Sequence, residues 1–188
     1  MRLLDKARQS QLVRSAAILA TGTAAAQAIA VLASPVLTRL YPPETFGLYA
    51  TFLALVSSLT PAATGRYEVA LMLPRSDRSA RELYAVALWF CLTLCVILAL
   101  LTTAILESGR TPGILMKLGD WALIAPLTLL GVGVFNATTY VANRAGRYAE
   151  IARSSVVQAT TIEGVNITLG FAGASFAGLI VGNLFGVT

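Results

Sequence analysis

The chain has 188 residues, 56% hydrophobic and only 12% charged, with a formal net charge of +5 and no histidine. Soluble domains hold about 25% charged residues, so a water-soluble fold is excluded as a home for this much apolar surface. Without histidine there is neither a Ser-His-Asp triad nor a histidine proton relay. The basic residues flank hydrophobic runs, which argues against a nucleic-acid partner.

Five charge-free runs set the class: Ser15–Thr38, Thr45–Gly65, Leu83–Leu106, Trp121–Asn143 and Gly164–Thr188. Each reaches the ~20 residues a helix needs to cross ~30 Å of hydrocarbon. The backbone has no water to bond in the bilayer core, so each crossing is expected to be helical. The expected fold is an all-α polytopic membrane protein, a single transmembrane domain over 1–188. Its helices are expected at about 15–40, 45–73, 83–106, 121–143 and 152–172, with a truncated sixth at 176–188.

The N-terminal stretch "MRLLDKARQSQLVRS" reads as a short amphipathic segment on the membrane surface. Helix 1 follows; its apolar run is longer than the h-region of a signal peptide, so it is read as retained. "LYPPETFG" stops it with two prolines, and Glu44 opens helix 2. Helix 2 ends in "TGRYEVALMLPRS", where Arg66 lies ~31 Å from the helix start, at the inner edge of the hydrocarbon. Arg66 and Glu68 point to nearly opposite sides and pair poorly with each other. "PRSDRSARE" is expected as a polar loop before helix 3, and Cys91 and Cys95 in that helix read as small apolar side chains. Helix 4 leads to the loop "RAGRYAEIAR". The C-terminal run is either one helix or two split at "GFAGAS", where Gly170, Gly173 and Ser175 cluster like a turn.

Lys and Arg counts orient the chain. The N-terminus and the helix 2–3 and 4–5 loops carry ten, against three in the helix 1–2 and 3–4 loops. The ten-charge side, with the N-terminus, is expected in the cytoplasm.

Polar residues inside the spans are the candidate functional groups. Gln27 sits near mid-membrane on a stripe with Thr23, Ala30 and Ser34; it either bonds a neighbouring helix or lines a cavity. Asn136, Thr139, Tyr140 and Asn143 share a face of helix 4 leading to Arg147, which suits a water-lined surface or a packed one. Glu163 stands at helical spacing from Thr160 and Asn166. A carboxylate at depth costs ~2.5 kcal/mol or more unless paired or hydrated. If a helix begins at Gly164 instead, Glu163 is an interface residue. No residue cluster suggests catalysis, a metal site or a cofactor, so a transporter or scaffold is expected rather than an enzyme.

"SPVLTRLYPPETFGLYATF" (Ser34–Phe52) and "RYEVALMLPRSD" (Arg66–Asp77) resemble the start of Wzx-type O-antigen and exopolysaccharide flippases. These are polysaccharide biosynthesis proteins of the multidrug/oligosaccharidyl-lipid/polysaccharide exporter superfamily. Pro35, Leu37, Thr38, Arg39, Tyr41, Pro43, Glu44, Phe46 and Gly47 fill the first pattern; Arg66, Tyr67, Glu68, Ala70, Leu73 and Pro74 fill the second. "AGLIVGNLFG" (Ala177–Gly186) resembles the opening of the family's sixth helix.

The resemblance implies one helical lobe of a two-lobed transporter in the bacterial inner membrane. It implies flipping of an undecaprenyl-pyrophosphate-linked glycan for O-antigen or exopolysaccharide synthesis, with glycosyltransferases or the polymerase as further partners. The chain covers only the N-terminal part of such a protein, so it is expected to be a fragment. A pyrophosphate crossing hydrocarbon calls for cations; Arg66 is the leading candidate, with Arg14 and Arg147 near the inner mouth, and Glu68, Gln27, Asn136, Tyr140 and Asn143 as further substrate-side candidates. The alternatives are an ion-coupled multidrug exporter of the same superfamily, with Glu68 or Glu163 as the exchanging carboxylate, and a non-transporting scaffold for polysaccharide enzymes.

Overall fold

A computed structural model describes residues 2–65, 70, 76–109, 113, 118–173 and 176–187. Its elements are helices: α1 (Arg2–Leu40), α2 (Pro43–Ala63), α3 (Asp77–Glu107), α4 (Ala125–Arg144, preceded by a 3-10 turn over Gly119–Ile124), α5 (Tyr148–Phe171) and α6 (Phe176–Val187). No strand occurs among the described residues. Four segments are long and apolar enough to cross a membrane: Val13–Leu40, Pro43–Ala63, Arg78–Glu107 and Trp121–Arg144. α5, with 24 residues, has the length but carries Glu150, Arg153 and Glu163. The protein is an all-α polytopic membrane protein.

Much of the apolar surface faces outward. Leu32, Trp89 and Leu100 are 75%, 70% and 64% exposed. Apolar surface this extensive on a water-facing protein would drive aggregation; in a bilayer it meets lipid tails. The buried residues instead join the helices. Phe52 and Val56 of α2, Cys91 and Cys95 of α3, Leu129 of α4 and Ile180 of α6 form one core cluster, closed by Leu118 and Ala122. Ala33 and Leu37 of α1, Tyr41 and Leu179 of α6 form a second. Cys91 and Cys95 pack as small apolar groups.

Close approaches give the directions. Gly22 of α1 faces Ala152, and Gly170 of α5 faces Leu40 and Tyr41, so α1 and α5 run parallel in near-constant register. A Cβ at Gly22 would collide with the Ala152 side chain, the small-residue contact that lets membrane helices approach closely. α3 and α4 run antiparallel, since Gly133 faces Cys91 while Tyr84 bonds Thr138.

Boundaries differ from those expected, and α5 opens at Tyr148, inside the stretch expected as a loop. α1 is continuous from Arg2, so the basic N-terminal segment is not a separate surface element. Residues 2–14 contain neither Gly nor Pro and are mostly strong helix formers, so nothing interrupts the helix. α2 stops at Ala63 instead of running to 73. The Thr64 N–H bonds the Thr60 carbonyl, and Gly65 adopts φ +53°, the left-handed conformation that ends helices. α3 begins at Asp77, so two thirds of the expected polar loop is helix. The Ser76 hydroxyl accepts the Ser79 N–H at 3.2 Å as an N-cap, and Arg78 pairs with Glu82 one turn on. The C-terminal run is two helices, turning at Gly173 with φ +77°.

Candidate functional site

The antiparallel packing of α3 and α4 brings the start of one beside the end of the other. Between them lies a cavity of about 1180 Å³ lined by Ala80, Arg81, Tyr84, Thr138, Val141, Arg144 and Ala145. That volume suits a large headgroup more than a single ion. Residues 81 and 84, one turn apart on α3, face 138, 141 and 145, which recur at helical spacing on α4.

The wall has a fixed hydrogen-bond polarity. Thr138 Oγ1 donates to the Val134 carbonyl at 2.9 Å, so its one hydrogen is spent. Tyr84 Oη, 3.2 Å from Thr138 Oγ1, is therefore the donor in that pair. Arg81 is exposed and Arg144 half-buried. Both guanidiniums offer planar, forked donors suited to phosphate oxygens.

The cavity stands at the basic end of the molecule. The parallel register of α1 and α5 places Arg14 at the level of the α4–α5 turn. Arg14 is exposed there. Arg147 is exposed at the start of α5 and pairs with Glu150 at 3.5 Å.

The other sequence-derived candidates fall elsewhere. Arg66 and Glu68 lie outside the described residues. Gln27 is exposed on α1 and makes no hydrogen bond among the described residues. Asn136, Tyr140 and Asn143 are half-buried on α4, but the cavity is lined by Thr138, Val141 and Arg144 between them. Glu163 is half-buried on α5, at the far side from the basic cavity.

Sequence reading counted Arg81 and Arg144 for topology and missed their meeting. The available signal was Arg81 and Tyr84 one turn apart, at the start of a helix whose antiparallel partner ends in Arg144. Reading 77–82 as a loop hid that spacing.

At the other end, Tyr41 closes the turn between α1 and α2. It is buried, its ring packs edge-on to Phe46, and its hydroxyl donates to the Asn166 carbonyl at 2.7 Å. Burial raises its pKa above the ordinary tyrosine value, which keeps that hydroxyl a donor. Asn183 of α6 donates to Tyr49 Oη of α2 at 3.2 Å.

No curated protein and no solved structure matches the chain. The family profile described as polysaccharide biosynthesis protein matches residues 36–188, which take in α3 and α4, the two helices that flank the cavity. The chain belongs to the polysaccharide biosynthesis protein family.

Proposed function

We propose that this chain is part of a carrier that moves an undecaprenyl-pyrophosphate-linked oligosaccharide across the bacterial inner membrane, for O-antigen or exopolysaccharide synthesis. The observation that carries the reading is the α3–α4 cavity, whose wall brings Arg81 and Arg144 together. A pyrophosphate loses its hydration on leaving water, and charge-assisted bonds from forked guanidiniums offset that loss. The ten-to-three Lys/Arg asymmetry supports a cytoplasmic basic end, the side on which lipid-linked glycans would enter. The work is binding and movement, with no bond made or broken.

The reading is tested by complementation. The protein carrying Arg81→Gln and Arg144→Gln together is expressed in a strain that lacks its own flippase. Loss of surface glycan at unchanged protein level is expected. Full glycan export by the double variant would refute the role of the cavity.

A further inference from the structure

A second polar site lies in the seam between α5 and α6, near the end opposite the basic cavity. Asn166 is 3% exposed, yet its Oδ1 has no hydrogen-bond partner. Glu163, one turn earlier on α5, is close enough to Asn166 for their side chains to interact. Its Oε2 is likewise buried and unpartnered. Two buried acceptor atoms without a donor, on residues one turn apart, make an arrangement native proteins rarely leave unfilled.

The surroundings exclude the usual remedies. Glu163 has no ion pair among the described residues. A Cβ at Gly182 would collide with Asn166 Oδ1, so the α6 backbone is pressed against the amide and screens it from water. No group of three or more metal-ligating residues occurs among the described residues, so a divalent cation lacks its shell. The titratable neighbours packed against the pair are Tyr49 of α2, held by Asn183, and Tyr41, whose hydroxyl sits on the Asn166 carbonyl. α6 has no titratable residue, α1 has none between Arg14 and Arg39, and on α4 they are Tyr140 and Arg144, towards its basic end. On α5 itself, Glu150 and Arg153 lie about 15 Å or more along the axis.

We propose that Glu163 and Asn166 form a proton-binding site. The Glu163 carboxyl takes up one proton; the acid O–H donates to the Asn166 amide oxygen, and the amide N–H donates back to the carboxyl carbonyl. One hydrogen thus satisfies both orphaned acceptors. The amide's O and N exchange by rotation about a single bond, so the pairing needs no backbone shift. Glu163 stands eight residues from the end of α5, about 12 Å along the helix from that end. A lone ionised carboxylate at that depth is costly, and its neutral form is far less so. The site is independent of the glycan-binding reading and makes no use of the basic cavity.

Infrared difference spectroscopy on the purified protein in lipid nanodiscs tests this directly. Wild type minus Glu163→Gln at neutral pH is expected to show the C=O stretch of a protonated carboxyl, shifted in D₂O and lost on alkaline titration of the wild type. Asn166→Leu should move that band towards a free acid. Circular dichroism checks that each variant keeps its helices, and the alkaline titration needs no variant. Carboxylate stretches in place of the acid band would overturn the proposal. Were those stretches also to respond to sodium, the site would belong to an alkali cation instead.

Discussion

At the scale of single residues, Tyr41 is the most informative side chain. It belongs to the "LYPPETFG" break, which the sequence marks as a helix stop and as part of the family pattern. In the fold it is buried, with its hydroxyl on the Asn166 carbonyl at 2.7 Å. That bond joins the α1–α2 turn to α5. Tyr41→Phe removes a donor and leaves a buried carbonyl acceptor short, which should cost about 1–3 kcal/mol in unfolding measured in detergent. The same residue has a pH signature. Burial raises the folded-state pKa above the unfolded value of 10.0, so unfolding releases a proton in that window. The stability that Tyr41 contributes is fully present below pH 10 and is lost as pH rises through the folded value. Tyr41→Phe should flatten the alkaline fall in melting temperature; an unchanged alkaline limb would show that another group controls it.

At the scale of elements, hydrophobic length located the four helices long and apolar enough to cross a membrane, because each needs one long apolar run, a signal that survives without tertiary context. The ends were less legible. "RYEVALML" looks like more helix, yet the stop lies just before it at Gly65, where only backbone conformation marks the boundary. "SDRSARE" looks like a loop because it is charged, although the Ser76 cap and the Arg78–Glu82 pair make it a helix start. Charge density describes exposure, whereas capping geometry describes the helix, and the two diverge at a membrane surface. Ser76→Ala should therefore cost about 1 kcal/mol and fray the first turn of α3, seen as faster amide hydrogen exchange at residues 78–82. Unchanged exchange there would mean that packing alone holds that turn.

At the scale of the whole molecule, two ends with different chemistry emerge. One gathers Arg14, Arg81, Arg144 and Arg147; the other sets Tyr41, Tyr49, Asn166 and Glu163, buried or half-buried, among α2, α5 and α6. Neither assembly is visible along the chain, because Arg81 meets Arg144, and Tyr41 meets Asn166, only through helix pairing. The topology is accessible to labelling, since the native Cys91 and Cys95 are buried. Single cysteines at Ser76 and Ala145 should react with a membrane-impermeant thiol reagent only in inverted vesicles, and one at Ser108 only in intact spheroplasts. The reverse pattern would invert the orientation.

The central claim is that the basic end receives a pyrophosphate-linked lipid, and equilibrium binding tests it most directly. The purified protein in nanodiscs is titrated with undecaprenyl-pyrophosphate-linked oligosaccharide at two salt concentrations. Saturable binding that weakens in high salt and falls at least tenfold in Arg81→Gln/Arg144→Gln is predicted, the factor corresponding to about 1.4 kcal/mol. Equal affinity in wild type and double variant would contradict it.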